Sequence, residues 1–478
     1  MISLLNEFEM LGANIIMGKQ YRVKCKGLDD TLKGIVKFNN SNFSVPYLLE
    51  NETANISLVY GKDRSNTSAK LVSIEDPSKH RNTPKCPSFY KCGGCDLQHM
   101  TYEHQLIQKK KVVENLLGGF APVSDTIGME NPYHYRNKIH ATITKDRRGN
   151  IVSGIYEENS HNVIPTDKCY IQDTTADKIL KTIRQLMKQQ RIAPYNEDKQ
   201  YGVLRHVLIK RGYNTNQCMV VLVIGSNTFP GKNNFVSELV KAHKEITTVV
   251  VNFNDKKTSM VLGDKEVIAY GKGYIEDTLC GCTFRISPKS FYQVNPLQTE
   301  KLYSAAIDCA NLTGKETVLD AYCGIGTISL IASKHAKEVI GVELNKSAVK
   351  DAKQNATINN IKNVTFYEGD AGEFMKKYTS GSNNKAKPSK DSVAKDIDVV
   401  FVDPPRSGCD EKFLTSLGSL SPKQIIYISC NPVTQKRDLD YLTKKGYKVK
   451  KIQPVDMFPW TKHVESIILM TYCGSDKK

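Results

Sequence analysis

The chain has 478 residues, of which 40% are hydrophobic and 24% charged, so its composition fits a soluble globular protein of about three domains. No run of eighteen or more apolar residues occurs, and acidic residues stand where a signal peptide needs basic ones, so we expect a cytoplasmic protein without a membrane span. The net charge of +17 favours a polyanionic partner, such as nucleic acid, somewhat more than a merely lysine-rich surface.

Two different architectures are predicted in the first 288 residues. Short runs rich in β-branched and aromatic residues, separated by glycine and asparagine, predict a small β-barrel over 15–76. The following part, 77–288, mixes alternating strands with helices, which is typical of an α+β domain. Within it, leucine and valine recur at helical spacing over 102–117 and predict an amphipathic helix.

The α+β part also holds a cluster of cysteines. Cys86, Cys92 and Cys95 have the spacing Cys-x5-Cys-x2-Cys, and Cys169 is a plausible fourth ligand. Four thiolates can hold either zinc or an iron–sulfur cluster, and the spacing does not separate the two. Zinc ribbons more often contain two Cys-x2-Cys pairs, so three close cysteines and a distant one favour a 4Fe–4S cluster. Cysteines that only pack or undergo oxidation are the weaker alternative.

From 289 to 478 apolar strands alternate with helices, which predicts an α/β domain with a Rossmann-like, doubly wound parallel sheet. The polar segment 378–396 is predicted to be a flexible surface insertion. Because carboxylates suit a cationic ligand better than a pyrophosphate, acids at successive strand ends favour S-adenosylmethionine over NAD. The first acid opens the glycine turn "DAYCGIGT", and the other two end the next two predicted strands: Asp320, Glu343 and Asp370. A purely structural glycine turn is the alternative.

Three residues at later strand ends predict the chemistry. Asp403 and Cys430 each follow an apolar run and are followed by proline, which directs both to the carboxyl edge of the sheet. Glu465 begins the last apolar strand, where an unpaired buried carboxylate is costly. A thiolate that adds to carbon 6 of a pyrimidine allows carbon 5 to take a methyl group, and a base then removes the carbon 5 proton. A cysteine that only packs, and an amine methyltransferase that uses Asp403 alone, are the competing interpretations.

The motifs "FYQVN", "DAYCGIGT", "GVELN", "DPPRSG", "YISCNP" and "HVES" occur in this order. Together they resemble the RNA uracil-5-methyltransferases, which make 5-methyluridine in bacterial 23S ribosomal RNA and in tRNA, and the resemblance extends from about 20 to 470. It implies Cys430 as the nucleophile and Glu465 as the base that takes the carbon 5 proton. It also implies a cofactor site formed by Gln293, Tyr322, Glu343, Asp370 and Asp403.

The chain resembles in particular the 23S members of this family, which carry the same cysteine spacing. The resemblance therefore implies a 4Fe–4S cluster on Cys86, Cys92, Cys95 and Cys169, and a barrel similar to the TRAM RNA-binding module, both of which the tRNA members are expected to lack. It allows the helix near 100–118 to pack on the catalytic domain. We expect a monomer that needs no protein partner and methylates one or two uridines of folded 23S RNA. Methylation of tRNA, and an RNA-binding scaffold without activity, are the alternatives.

Overall fold

The computed structural model describes residues 19–60, 67–157, 160, 162–257, 260–381 and 396–474. Most of the predicted insertion, 382–395, and the first residues of the predicted barrel, 15–18, lie outside the described residues. The chain separates into two compact units. The first consists of Met1–Tyr90, Gly94–Val112 and Trp460–Lys462, and the second consists of Lys91–Gly93, Val113–Pro459 and His463–Lys478.

The first unit contains a five-stranded antiparallel sheet with the spatial order β3-β2-β1-β4-β5. Burial alternates along β4, where Ala54, Ile56 and Leu58 are buried between partly exposed neighbours, as expected when one face of a sheet covers a core. The TRAM assignment of this sheet stays a prediction. Its strands are β1 (Gln20–Leu28), β2 (Gly34–Phe38), β3 (Ser41–Val45), β4 (Thr53–Tyr60) and β5 (Thr67–Asp76). The helix α1 (Tyr102–Leu117) follows.

The second unit begins with a seven-stranded sheet of order β12-β11-β10-β9-β6-β7-β8, in which only β10 and β11 run parallel among the pairs described. Two helices and the apolar side chains of β9, β10 and β11 form its core. A two-stranded ribbon follows. The elements are β6 (Lys138–Lys145), β7 (Ile151–Tyr156), β8 (Val163–Pro165), α2 (Thr174–Gln189), β9 (Leu204–Arg211), β10 (Cys218–Ile224), α3 (Lys232–Ala242), β11 (Ile246–Phe253), β12 (Lys265–Tyr270), β13 (Ile275–Leu279) and β14 (Cys282–Ile286).

A second seven-stranded sheet completes this unit, with the order β17-β16-β15-β18-β19-β21-β20. Strands β15 to β19 are parallel, and the central strands β15 and β18 are wholly buried, as expected when both faces of a parallel sheet are covered. The elements are α4 (Pro296–Ala310), β15 (Thr317–Asp320), α5 (Thr327–Ala332), β16 (Glu338–Glu343), α6 (Lys346–Ile358), β17 (Val364–Glu368), α7 (Ala371–Gly381), β18 (Val399–Val402), α8 (Glu411–Leu420), β19 (Gln424–Ser429), α9 (Pro432–Thr443), β20 (Tyr447–Val455) and β21 (Glu465–Tyr472).

The expectation of an entirely parallel sheet is wrong for the last strand. β21 lies between β19 and β20 and is antiparallel to both. The connection from Val455 to Glu465 is too short to hold a crossover helix, so the chain has to return in the opposite direction. This reversal brings the start of β21 to the edge at which the parallel strands end.

The last residues of α1, from Val113 onward, belong to the second unit and pack against its second seven-stranded sheet. Val113 and Leu117 are buried in one cluster with Leu319 of β15 and Val400 of β18. No helix in the described part of the chain combines the length and the hydropathy that a membrane span requires.

Candidate active site

Three candidate residues lie at the carboxyl edge of the second seven-stranded sheet, which contains β15 to β21, because their strands are parallel. Asp320 ends β15, while Asp403 and Cys430 directly follow β18 and β19. Beyond Cys430 the chain enters α9 at Pro432, and the side chain of Asn431 accepts a hydrogen bond from the N–H of Val433. The amide of Asn431 also donates to the carbonyl of Arg406 at 3.0 Å, which ties this turn to the loop after β18.

Strand register places Glu465 opposite Cys430. β19 and β21 pair antiparallel from Gln424↔Thr471 to Ser429↔Ser466, and one further step of the same register pairs Cys430 with Glu465. Opposed residues of an antiparallel pair have Cβ atoms about 4.5–5.5 Å apart. Glu465 is 5% exposed, whereas Cys430 is only half-buried, so the cysteine is the more exposed of the two residues.

Burial and mutual repulsion perturb the carboxylates of this edge. Burial raises the pKa of Asp320 to about 7, and burial together with the charge of Asp320 raises the pKa of Asp403 to about 7. Burial and the charge of Asp403 raise the pKa of Glu465 to about 8. Acids whose pKa values lie near neutrality can exchange protons at physiological pH, which is typical of catalytic sites.

Arg406 is a site residue that the motif pattern did not predict. Burial and the charge of Glu465 raise the pKa of the Cys430 thiol, while the charge of Arg406 and a hydrogen bond from its guanidinium lower it. The same cation lowers the pKa of Glu465. Its Nη2 lies 3.0 Å from Nδ1 of His463. The available signal was its place in "DPPRSG", three residues after Asp403.

The glycine turn after β15 leaves room for a ligand. Gly324 and Gly326 have φ values of 53° and 86°, the left-handed region that favours glycine. A Cβ on Gly324 would meet no atom within 4 Å, so open space lies over the turn. The Oε2 atom of Glu343 accepts a hydrogen bond from the N–H of Gly324 at 3.1 Å, which holds this carboxylate beside the turn.

The predicted cofactor residues fit S-adenosylmethionine. Among the described residues Oδ1 of buried Asp320 has no hydrogen-bond partner, while its Oδ2 accepts from Ser329 at 2.6 Å. A buried carboxylate oxygen without a donor is costly, and a cationic ligand would satisfy it. Each oxygen of Glu343 has one protein donor and can accept another, as a ribose-binding acid must.

The other three residues predicted for the cofactor site make contacts within the protein. Gln293 is hydrogen-bonded to the hydroxyl of Tyr303, whose pKa burial and the charge of Asp403 raise. Tyr322 packs against Phe413 with ring centroids 5.1 Å apart. Asp370 accepts a hydrogen bond from the N–H of Glu373 at 2.9 Å and so stabilises the first turn of α7.

The four predicted cysteine ligands divide between the two units. Cys86 and Cys95 belong to the first unit, and Cys92 and Cys169 belong to the second. Burial raises the pKa of Cys169 to about 11, with smaller contributions from the charges of Asp177 and Cys92, so Cys92 lies near Cys169. No three His, Cys, Asp or Glu side chains in the described part of the chain are arranged to hold a metal ion. The structure therefore does not show the predicted metal site.

The second seven-stranded sheet has a glycine turn after β15 and acids at the ends of the following strands. This strand order and these positions define an S-adenosylmethionine-dependent methyltransferase fold. Residues 101–472 match the family model of tRNA (uracil-5-)-methyltransferases, and the chain belongs to this family. It is thus an RNA methyltransferase of the uracil-5 type.

The chain is similar to curated relatives over nearly its whole length. It is 40% identical over 462 residues to an uncharacterized RNA methyltransferase of Clostridium tetani (strain Massachusetts / E88), which covers 96% of this chain and 97% of that relative. It is 41% identical over 441 residues to an uncharacterized RNA methyltransferase of Staphylococcus aureus (strain MSSA476), with 91% and 94% covered.

Among solved structures, the chain is similar to the Pyrococcus abyssi tRNA (uracil-54, C5)-methyltransferase in complex with S-adenosyl-L-homocysteine. The TM-score is 0.73 at 25% identity, and the match covers 94% of this chain and all of that one. The part left unmatched is smaller than the amino-terminal sheet of residues 20–76, so a tRNA enzyme shares at least part of that sheet. The expectation that tRNA members lack the amino-terminal module is therefore not general.

Proposed function

We propose that this protein methylates carbon 5 of a uridine in 23S ribosomal RNA, with Cys430 as nucleophile and Glu465 as base. The observation that carries this proposal is the antiparallel register of β19 and β21, which opposes a half-buried cysteine to a buried carboxylate at the carboxyl edge of the parallel strands. Neither a scaffold without activity nor an amine methyltransferase gives this pair a task.

The geometry supports a covalent route. The Cys430 thiolate adds to carbon 6 of the uracil, and the electrons of the 5,6 double bond move toward the ring carbonyl and make carbon 5 nucleophilic. Bound S-adenosylmethionine supplies the methyl group that carbon 5 takes. Glu465 then removes the proton from carbon 5, the double bond re-forms, and the sulfur–carbon bond breaks to release the Cys430 thiolate. The charge of Asp403 raises the pKa of both Cys430 and Glu465, and we assign Asp403 the task of orienting the uracil.

Arg406 opposes the rise in pKa that burial imposes on Cys430 and Glu465, so the pH dependence of Arg406→Gln tests its role. Because its charge lowers the pKa of Cys430 and of Glu465, removing it raises both pKa values. The rising limb of kcat/KM against pH is expected to move to higher pH by about one unit. Arg406→Lys retains the charge and should move the limb less. A lower rate with an unmoved limb in Arg406→Gln would assign Arg406 a structural role alone.

The choice of 23S RNA is supported by the cysteine spacing that accompanies the resemblance to the 23S members. The alternative substrate is tRNA. It is favoured by the similarity to the Pyrococcus abyssi tRNA (uracil-54, C5)-methyltransferase, which matches this chain over nearly its whole length. Mapping of 5-methyluridine in RNA from a deletion strain decides between the two. We expect one or two positions to lose the modification in 23S RNA. Intact 23S RNA alongside tRNA without 5-methyluridine would overturn the ribosomal assignment.

We also propose that Cys86, Cys92, Cys95 and Cys169 hold a 4Fe–4S cluster that positions RNA rather than transferring electrons. The support is the sequence spacing and the proximity of Cys92 to Cys169. Protein purified without oxygen is expected to be brown and to contain about four iron and four sulfide per chain. Cys169→Ser should lose this absorption, while Cys473→Ser, at an exposed position, should keep it. Colourless wild-type protein that holds one zinc would instead establish a zinc site.

A further inference from the structure

A cleft of about 600 Å³ lies in the second unit, beside the seven-stranded sheet of β6 to β12. None of the residues that line the cleft belongs to the candidate active site. Its walls are the hairpin between β6 and β7, the exposed side of α2 and the segment that follows this helix. The volume is in the range of ligand-binding sites. The cleft is thus a second concave feature that uracil-5 methylation leaves without a task.

The lining of this cleft is strongly basic. Asp167 is the one carboxylate among the described lining residues, and it is paired with Arg184 at 2.6 Å. Arg184 also donates to the hydroxyl of Ser153 at 3.0 Å, so this cation is already satisfied. The other basic side chains of the lining have no carboxylate within it: Lys145, Lys181, Lys188 and Arg191.

The sequence of α2 explains how these charges converge. Lys181, Arg184 and Lys188 recur at helical spacing on one side of α2, while Ile183 and Leu186 on the other side are buried in the core. Such a basic stripe is usually a solvated face, on which the charges spread apart. Here Lys145 and Arg191 approach the same hollow from other segments. Like charges that converge in a concave site raise the positive potential, and an anion relieves their repulsion.

We propose that this basic cleft binds the phosphate backbone of the RNA substrate at a point away from the target uridine. The proposal rests on the proposed function, because it takes RNA as the substrate. None of the described lining residues is aromatic, so the cleft offers no surface on which a base would stack. Lysine and arginine contacts to phosphate position an RNA without reading its sequence. The cleft would therefore select for RNA that is large enough to reach both the active site and this second anchor.

The experiment compares two double variants with the same change in charge. Lys181→Glu with Lys188→Glu alters the cleft, and Lys241→Glu with Lys244→Glu alters two exposed lysines that do not line it. Dissociation constants are measured over a series of KCl concentrations, for a full-length 23S RNA transcript and for a single hairpin cut from it. With the full-length RNA, log affinity is expected to fall less steeply with log salt for the cleft variant than for the control variant, by about 1.5 in slope. Affinity near physiological salt should fall about tenfold or more. Hairpin binding should match that of the control variant.

Two results would overturn the proposal. Equal slopes for the cleft and control variants would show that the cleft makes no RNA contact. The second result is that inorganic phosphate protects the wild type from thermal unfolding, while the salt slope for RNA binding is unchanged in the cleft variant. The cleft would then bind a small anion and not RNA. The binding measurement does not depend on catalysis. If the wild type formed no 5-methyluridine while the cleft and control variants still differed in salt slope, only uracil-5 methylation would be overturned.

Discussion

Cys430→Ala is expected to lower kcat/KM for methyl transfer by at least about a thousandfold, because a nucleophile that forms the covalent intermediate has no substitute at this edge. The thiol is half-buried, lies opposite Glu465 by strand register and receives a hydrogen bond from Arg406. Carbon 5 of an unactivated uracil is too weak a nucleophile to take a methyl group, so the loss should appear in the chemical step. Binding of RNA and of S-adenosylhomocysteine should change little.

A suicide substrate makes this prediction specific to the thiol. Transcripts that carry 5-fluorouridine should form a covalent complex with the wild type that survives denaturing gel electrophoresis, because fluorine cannot leave carbon 5 as a proton does. Cys430→Ala should form no such complex. Cys473→Ala, which removes an exposed cysteine of the same chain, should form it at the wild-type rate. Near-normal turnover of Cys430→Ala would mean that this thiol only packs.

Glu465→Gln is expected to accumulate a covalent protein–RNA adduct on ordinary RNA while its turnover falls by at least about a hundredfold. Attack by Cys430 and methyl transfer do not need the base, but elimination does. Burial and the charge of Asp403 raise the pKa of Glu465 to about 8, which gives this carboxylate the proton affinity that a base requires. Glutamine has a similar shape and cannot take the proton, so the reaction should stop after methylation.

The adduct is measured as a slow-migrating band that contains both protein and methyl-labelled RNA. Glu368→Gln is the matched control, because Glu368 is likewise a glutamate at the terminus of a strand of this sheet, but it is exposed. It should turn over normally and leave no band. If Glu465→Gln turned over at the wild-type rate without an adduct, another group would have to be the base.

The parts of the site that sequence alone predicted are those fixed by local rules. Apolar runs followed by proline place Asp403 and Cys430 at strand ends, and the parallel strands bring those ends to one edge. The glycine turn and the alternation of strands and helices likewise depend on neighbouring residues only, which is why the methyltransferase fold could be expected. The cysteine spacing is equally local, but it could not decide whether four thiolates come together.

Only the tertiary structure decided which groups act on one another. Glu465 is 35 residues from Cys430 in the chain, and they become neighbours because β21 returns antiparallel between β19 and β20. The role of Arg406 depends on the direction of its guanidinium, which a motif does not contain. The raised pKa values of Asp320, Asp403 and Glu465 arise from burial and from the charge of a nearby carboxylate, which is Glu343 for Asp320, Asp320 for Asp403 and Asp403 for Glu465. The sequence by itself thus determined which residues stand at strand ends, whereas strand direction and burial determined their chemistry, because charge interactions depend on distance through space.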